Sequence, residues 1–164
     1  MLIARMSCFC LVGVILSGCA KSPDAAASPN SSLLLKSKPA NALDVAKARK
    51  EVKDKQDIVL VGRIGGEEKP FVDGVAAFSV VDLSLKSCGP DEGCPTPWDY
   101  CCVTDKLPEN KAFVKVVDAA GKPVTTSAKQ LLGAKELSIV TVQGKASRDE
   151  AGNLTVLASG VFVE

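Results

Sequence analysis

Four cysteines, Cys88, Cys94, Cys101 and Cys102, stand within fifteen residues of one segment, SCGPDEGCPTPWDYCCV. Thiols this dense can form disulfides, hold a metal ion or exchange electrons. The chain has no histidine. That removes Ser-His-Asp and Cys-His catalysis and every imidazole-ligated metal site. Pro95 and Pro97 with Gly89 and Gly93 make the segment a loop, and disulfides are its first expectation in an exported protein. A bond between the neighbours Cys101 and Cys102 is disfavoured by the torsion it needs. Two pairings remain: Cys88–Cys102 with Cys94–Cys101, or Cys88–Cys101 with Cys94–Cys102. A ring of this size should contribute about 3 kcal/mol by the chain-entropy account. Metal ligation by the same four thiolates is the competing reading. It ranks lower because the gaps of five, six and zero residues differ from the usual C-x(2–4)-C knuckle. A redox role has no C-x-x-C to support it.

The other residues with chemical potential are fewer. Trp98 and Tyr100, the single tryptophan and the single tyrosine, fall inside the cysteine loop. They form either a contact surface on a rigid loop or a small core beneath it, with Trp98 leaning to packing. Glu67-Glu68 and Asp91-Glu92 are carboxylate pairs in turn regions, where solvation explains them. Gly62-x-x-Gly65-Gly66 lacks the lysine of a phosphate loop. No nucleophile stands at a recognisable spacing from a base, so the expectation is a non-enzymatic protein with no cofactor.

The elements that must position these residues are mostly strands. Residues 58–64 (IVLVGRI), 75–82 (VAAFSVVD), 112–118 (AFVKVVD), 137–146 (LSIVTVQGKA) and 154–163 (LTVLASGVFV) are β-branched or apolar runs bounded by turns. Residues 127–133 fit a short capped helix ending at Gly133. Five strands with a helix between the third and fourth, and VLVGRIGG, VTVQGKAS and NLTVLASGVFV as strand phrases, resemble an OB-fold Greek-key barrel. The predicted class is therefore mainly β: an OB-like barrel over residues 58–164, with the cysteine-rich insertion at 86–105 between strands two and three. OB resemblance implies nucleic-acid or oligosaccharide binding as an alternative function. Residues 56–164 carry 11 basic and 15 acidic side chains, and that net −4 argues against nucleic acid, whose phosphates bind cations.

Upstream the sequence changes character. The chain of 164 residues balances 20 Lys and Arg against 19 Asp and Glu, but the charge is unevenly spread. Residues 36–55 hold seven basic and three acidic side chains. Residues 41–57 read as a basic helical stem with Asn41 as its cap, and residues 19–40 as a flexible tether. Leu33-Leu34-Leu35 interrupts that tether and could dock on the domain or the bilayer. Residues 1–18 have one positive charge, an apolar run and small residues, the layout of a secretory signal. Leu16-Ser17-Gly18-Cys19 resembles the lipobox of bacterial lipoproteins. That resemblance implies lipidation of Cys19, cleavage before it, and loss of Cys8 and Cys10 with the signal peptide. The stretches DGVAAFSVVD and CPTPWDYCC resemble lipoproteins of planctomycete-type bacteria that have no assigned activity. Together these resemblances imply a protein of the bacterial cell envelope, lipid-anchored in the outer membrane and facing the periplasm. Its expected partners are the membrane, through Cys19, and an envelope protein or small ligand. The expectation is a binding or envelope-assembly module.

Overall fold

A computed structural model describes residues 33–164. The signal peptide, Cys8, Cys10, Cys19 and the first part of the tether lie outside the described residues. The described chain contains β1 (Leu43–Asp44), α1 (Val45–Glu51), β2 (Asp57–Ile64), β3 (Ala77–Val81), α2 (Leu107–Asn110), β4 (Lys111–Val116), α3 (Ala128–Leu132), β5 (Ile139–Arg148) and β6 (Leu154–Val163). Among these residues no helix is long and apolar enough to cross a membrane.

The five long strands close into a barrel. Its order is β2-β3-β4-β6-β5, and β5 pairs again with β2. All neighbours are antiparallel except β4 and β6, which run parallel. That is the Greek-key order expected of an OB-like barrel with its helix between the third and fourth strands. Alternation makes the strands: along β4, Ala112, Val114 and Val116 are buried while Lys111, Phe113 and Lys115 are half-exposed. β3 is buried at all five positions, since loops cover its outer face. A register shift at Gln143/Gly144 bends β5 so that it can serve two partners. Only glycine fits at 144, where a Cβ would strike the Leu157 carbonyl.

The core fills with Leu60, Ile64, Phe78, Val80, Val114, Val140, Val142, Leu154 and Val156. Phe71 packs on it, its ring centroid 6.0 Å from that of Phe78. The Ser127 side chain caps α3 by accepting from the Gln130 N–H, and Gly133 ends it at φ 65°, as the sequence indicates.

The helical stem is shorter and better integrated than its sequence suggests. Asn41 lies at φ 58°, before a two-residue strand β1 that pairs with β2, and does not cap. Val45, Ala48 and Val52 belong to the barrel core. The cap of α1 comes from across the fold: the Asp82 carboxylate accepts the Ala46 N–H at 2.7 Å. At the other end Arg148 donates to the carbonyls of Ala48, Arg49 and Val52, which a helix terminus leaves open, and to the Gly152 carbonyl of the β5–β6 turn. Leu33-Leu34-Leu35 docks on the domain. The Val161 N–H donates to Leu33, the Leu35 N–H donates to the Val161 carbonyl, and the Leu33 side chain is buried.

Candidate metal centre

The insertion leaves the barrel at Asp82, after β3, and returns at Lys111, where β4 begins. It contains two 3-10 turns, Pro90–Glu92 and Cys101–Lys106, followed by α2. Three hydrogen bonds fasten its cysteine-bearing stretch, residues 88–102. Two go to the loop between β2 and β3: the Gly66 N–H donates to the Trp98 carbonyl at 2.7 Å, and the Trp98 indole N–H donates to the Glu68 carbonyl at 3.0 Å. The third crosses the insertion itself, from the Cys88 N–H to the Pro97 carbonyl at 3.1 Å. Gly65 permits the docking, because a Cβ there would lie 2.5 Å from the Trp98 carbonyl oxygen.

Beneath these contacts lies a small apolar cluster of Val81, Tyr100 and Leu107, with Leu85 and Val103 against it. Tyr100 is fully buried, so it offers no contact surface; its hydroxyl is buried without a hydrogen-bond partner. Trp98 is half-buried and held by its indole N–H. Of the expected aromatic pair, one residue forms the floor of the loop and the other pins it.

The backbone conformations converge the thiols. Gly93 at φ 67° turns the chain before Cys94. Tyr100 at φ 61° turns it again, and the Cys101 N–H donates to the Asp99 carboxylate at 2.9 Å. The strain of a left-handed tyrosine is offset by burial of its ring. After this turn the adjacent Cys101 and Cys102 aim their Sγ atoms into one space, 3.9 Å apart.

The four Sγ atoms all lie within 4.8 Å of one another. Cys88 is 3.5 Å from Cys101 and 3.7 Å from Cys102; Cys94 is 2.9 Å from Cys101 and 3.7 Å from Cys102. A disulfide has its sulfurs about 2.05 Å apart, and no pair here comes that close. The structure therefore departs from the disulfide expectation for Cys88, Cys94, Cys101 and Cys102: no pair of them stands at disulfide distance. The physical reason is that the sulfurs share a centre rather than dividing into two pairs. Four thiolates around a tetrahedral ion with bonds of about 2.3 Å would stand about 3.8 Å apart. Most of the observed separations lie close to that edge.

Electrostatics distinguish the thiols. Burial opposes ionisation at Cys88, yet hydrogen bonds from the other cysteines, including the Cys102 backbone N–H, pull it below its ordinary value. The same contacts work in reverse elsewhere. Cys101 is pushed up first by its hydrogen bond with Cys94 and then by Cys88. Cys102 is raised to about 11, first by Cys88 and then by Cys94. Cys88 thus takes negative charge first, and Cys101 and Cys102 hold their protons against it. A cation entering the centre would displace those protons.

The remaining candidates are dispersed. Glu67 pairs with Lys111 at 2.8 Å, and the Glu68 backbone carries the tryptophan contact. The Glu92 carboxylate accepts the Gly89 N–H at 2.6 Å and lies 4.0 Å from the Cys102 sulfur. A recess of about 560 Å³ on the barrel flank is lined by Ile58, Val59, Val117 and Leu157 among others. Its charged rim is already engaged: Lys145 pairs with Asp57 at 2.7 Å, and Asp118 closes its own turn. No family model matches the sequence, and no curated protein matches it.

Proposed function

We propose that this chain is a non-enzymatic, lipid-anchored protein of the bacterial envelope whose OB-like barrel presents a four-thiolate metal centre made by Cys88, Cys94, Cys101 and Cys102. One observation carries the metal reading: four sulfurs drawn from a C-x5-C-x6-C-C segment meet around one centre, with four of the five contacting pairs at 3.5–3.9 Å, near the tetrahedral edge, and Cys94–Cys101 closer at 2.9 Å. Thiolate ligands without histidine or a ligating carboxylate select thiophilic cations with no strong geometric preference, such as Zn²⁺ or Cu⁺. The lipobox-like LSGC at Cys19 and the signal-like residues before it support the anchor, and the basic segment at 36–55 would lie nearest the headgroups.

Intact mass before and after alkylation, combined with elemental analysis, tests the centre. The expected result is one equivalent of a thiophilic metal and, after chelation, four alkylatable thiols. A chain that lacks four hydrogens, resists alkylation and binds no metal would be a disulfide protein and ends the proposal. The anchor has its own test. Cys19→Ala should move the protein from the membrane fraction to the soluble one, and unchanged partitioning refutes lipidation at that residue.

A further inference from the structure

We infer that the four-thiolate centre holds an exchangeable cargo ion, handed to the thiolates of an incoming molecule, rather than a structural ion that shapes the loop. The inference rests on the metal-centre reading above and adds the direction of traffic through it.

Exposure supplies the first observation. Cys88 alone is buried, Cys94 is half-buried, and Cys101 and Cys102 are exposed. An ion among these sulfurs would be closed off below by Cys88 and approachable at the Cys101–Cys102 edge. The second observation is that the loop has fastenings of its own. The Gly66–Trp98, Trp98–Glu68 and Cys88–Pro97 hydrogen bonds and the Tyr100 cluster define its shape without reference to any ion. Structural zinc sites differ, since there the metal supplies the folding energy outright. The third is charge. Glu92 and Asp99 flank the exposed edge, and among the described residues no lysine or arginine forms an ion pair with either. An acidic rim concentrates cations at the entrance.

Transfer then proceeds by ligand exchange at the open edge. An incoming thiol binds the ion as its thiolate, the bond from the ion to the Cys101 sulfur breaks, and the proton of the incoming thiol ends on Cys101. Repetition at Cys102 and Cys94 leaves Cys88 last. No electrons change hands, so no oxidant or reductant is required.

The test uses the full-length chain in detergent, loaded with Zn²⁺ alone, with dithiothreitol as the acceptor thiol. Zinc release is followed by a chromophoric indicator, and Trp98 fluorescence reports the loop. The inference expects a release rate that doubles when the dithiol concentration doubles. It also expects an unchanged Trp98 emission maximum once the zinc is gone. Cys101→Ser removes one of the four ligands, so it should hold zinc more weakly and release it to the same dithiol several-fold faster. A rate independent of dithiol concentration overturns the inference, because the loop would then have to open first. A Trp98 emission shifted to that of an exposed indole overturns it too, by making the ion structural. In both of those outcomes zinc has bound, so the metal-centre reading survives. Failure to load at all removes both.

Discussion

The barrel and its cysteine insertion are built on different principles within one chain. The barrel is held by area: Leu60, Ile64, Phe78, Val80, Val114, Val140 and Val142 are all at most 1% exposed, and each such side chain contributes about 1.5–3 kcal/mol through burial. The insertion is held by points. Its buried apolar side chains are Cys88, Tyr100 and Leu107, the last two packed on Val81 of β3, and a handful of hydrogen bonds tie Trp98 and Cys88 in place. Area is non-directional and tolerates change in any one contact, whereas point contacts fix orientation. That division suits a barrel that must persist and a loop that must present four sulfurs in one geometry.

The largest expected effect comes from the barrel side. Phe78→Ala removes a fully buried ring and should cost about 3–5 kcal/mol, since the surrounding strands collapse only partly into the cavity. Urea unfolding measures it. The comparison further requires that the fraction still folded bind metal as tightly as the parent. A folded Phe78→Ala protein with weakened metal binding would show that the loop depends on core packing after all.

A smaller effect should come from the joint between the two regions. In Gly65→Ala the new methyl would meet the Trp98 carbonyl at 2.5 Å and the Tyr100 ring at 3.0 Å. Overpacking of this kind costs about 1–3 kcal/mol. Here the cost should fall on docking of the insertion, not on the barrel. The expected signature is a red-shifted Trp98 emission and weaker metal loading, with far-UV circular dichroism unchanged. Loss of the barrel signal instead would place Gly65 in the global fold and merge the two regions.

The barrel was legible in the sequence because area leaves a periodic trace. Alternation in residues 112–118 and the glycine-closed helix at 127–133 each announce themselves locally, and the order of strands around that helix points to the topology. The stem was half legible. Its apolar positions were visible, but its cap was not, because Asp82 reaches Ala46 from 36 residues away. The cysteine loop was least legible. Proximity of thiols in sequence suggested pairing, and nothing local signalled that a left-handed Tyr100 would swing two adjacent cysteines toward a shared centre. Left-handed tyrosines are uncommon, so the turn that makes the site runs against the residue's own preference. Burial of its ring, supplied by Val81 and Leu107, decides it.

The smallest predicted effect lies at Asp82, where the barrel ends and the insertion begins. Burial would raise this carboxyl, but the N–H of Ala46 and the hydroxyl and N–H of Ser84 donate to it and hold it below the ordinary aspartate value. A carboxylate depressed in the folded state stabilises the fold above its unfolded value, near 3.9, and that contribution fades as pH falls through the folded value. Asp82→Asn should therefore cost about 1 kcal/mol at neutral pH, the usual worth of a helix cap. The deficit should begin to shrink below pH ~4, where the unfolded chain's carboxyl takes up its proton, and close as pH falls through the lower folded value. Thermal melts of both proteins from neutral pH into acid check the convergence. Parallel curves would mean that the charge of Asp82 is immaterial and that its oxygens act only as neutral acceptors. The seam between the two regions would then rest on geometry alone, as the docking of Trp98 on Gly66 does.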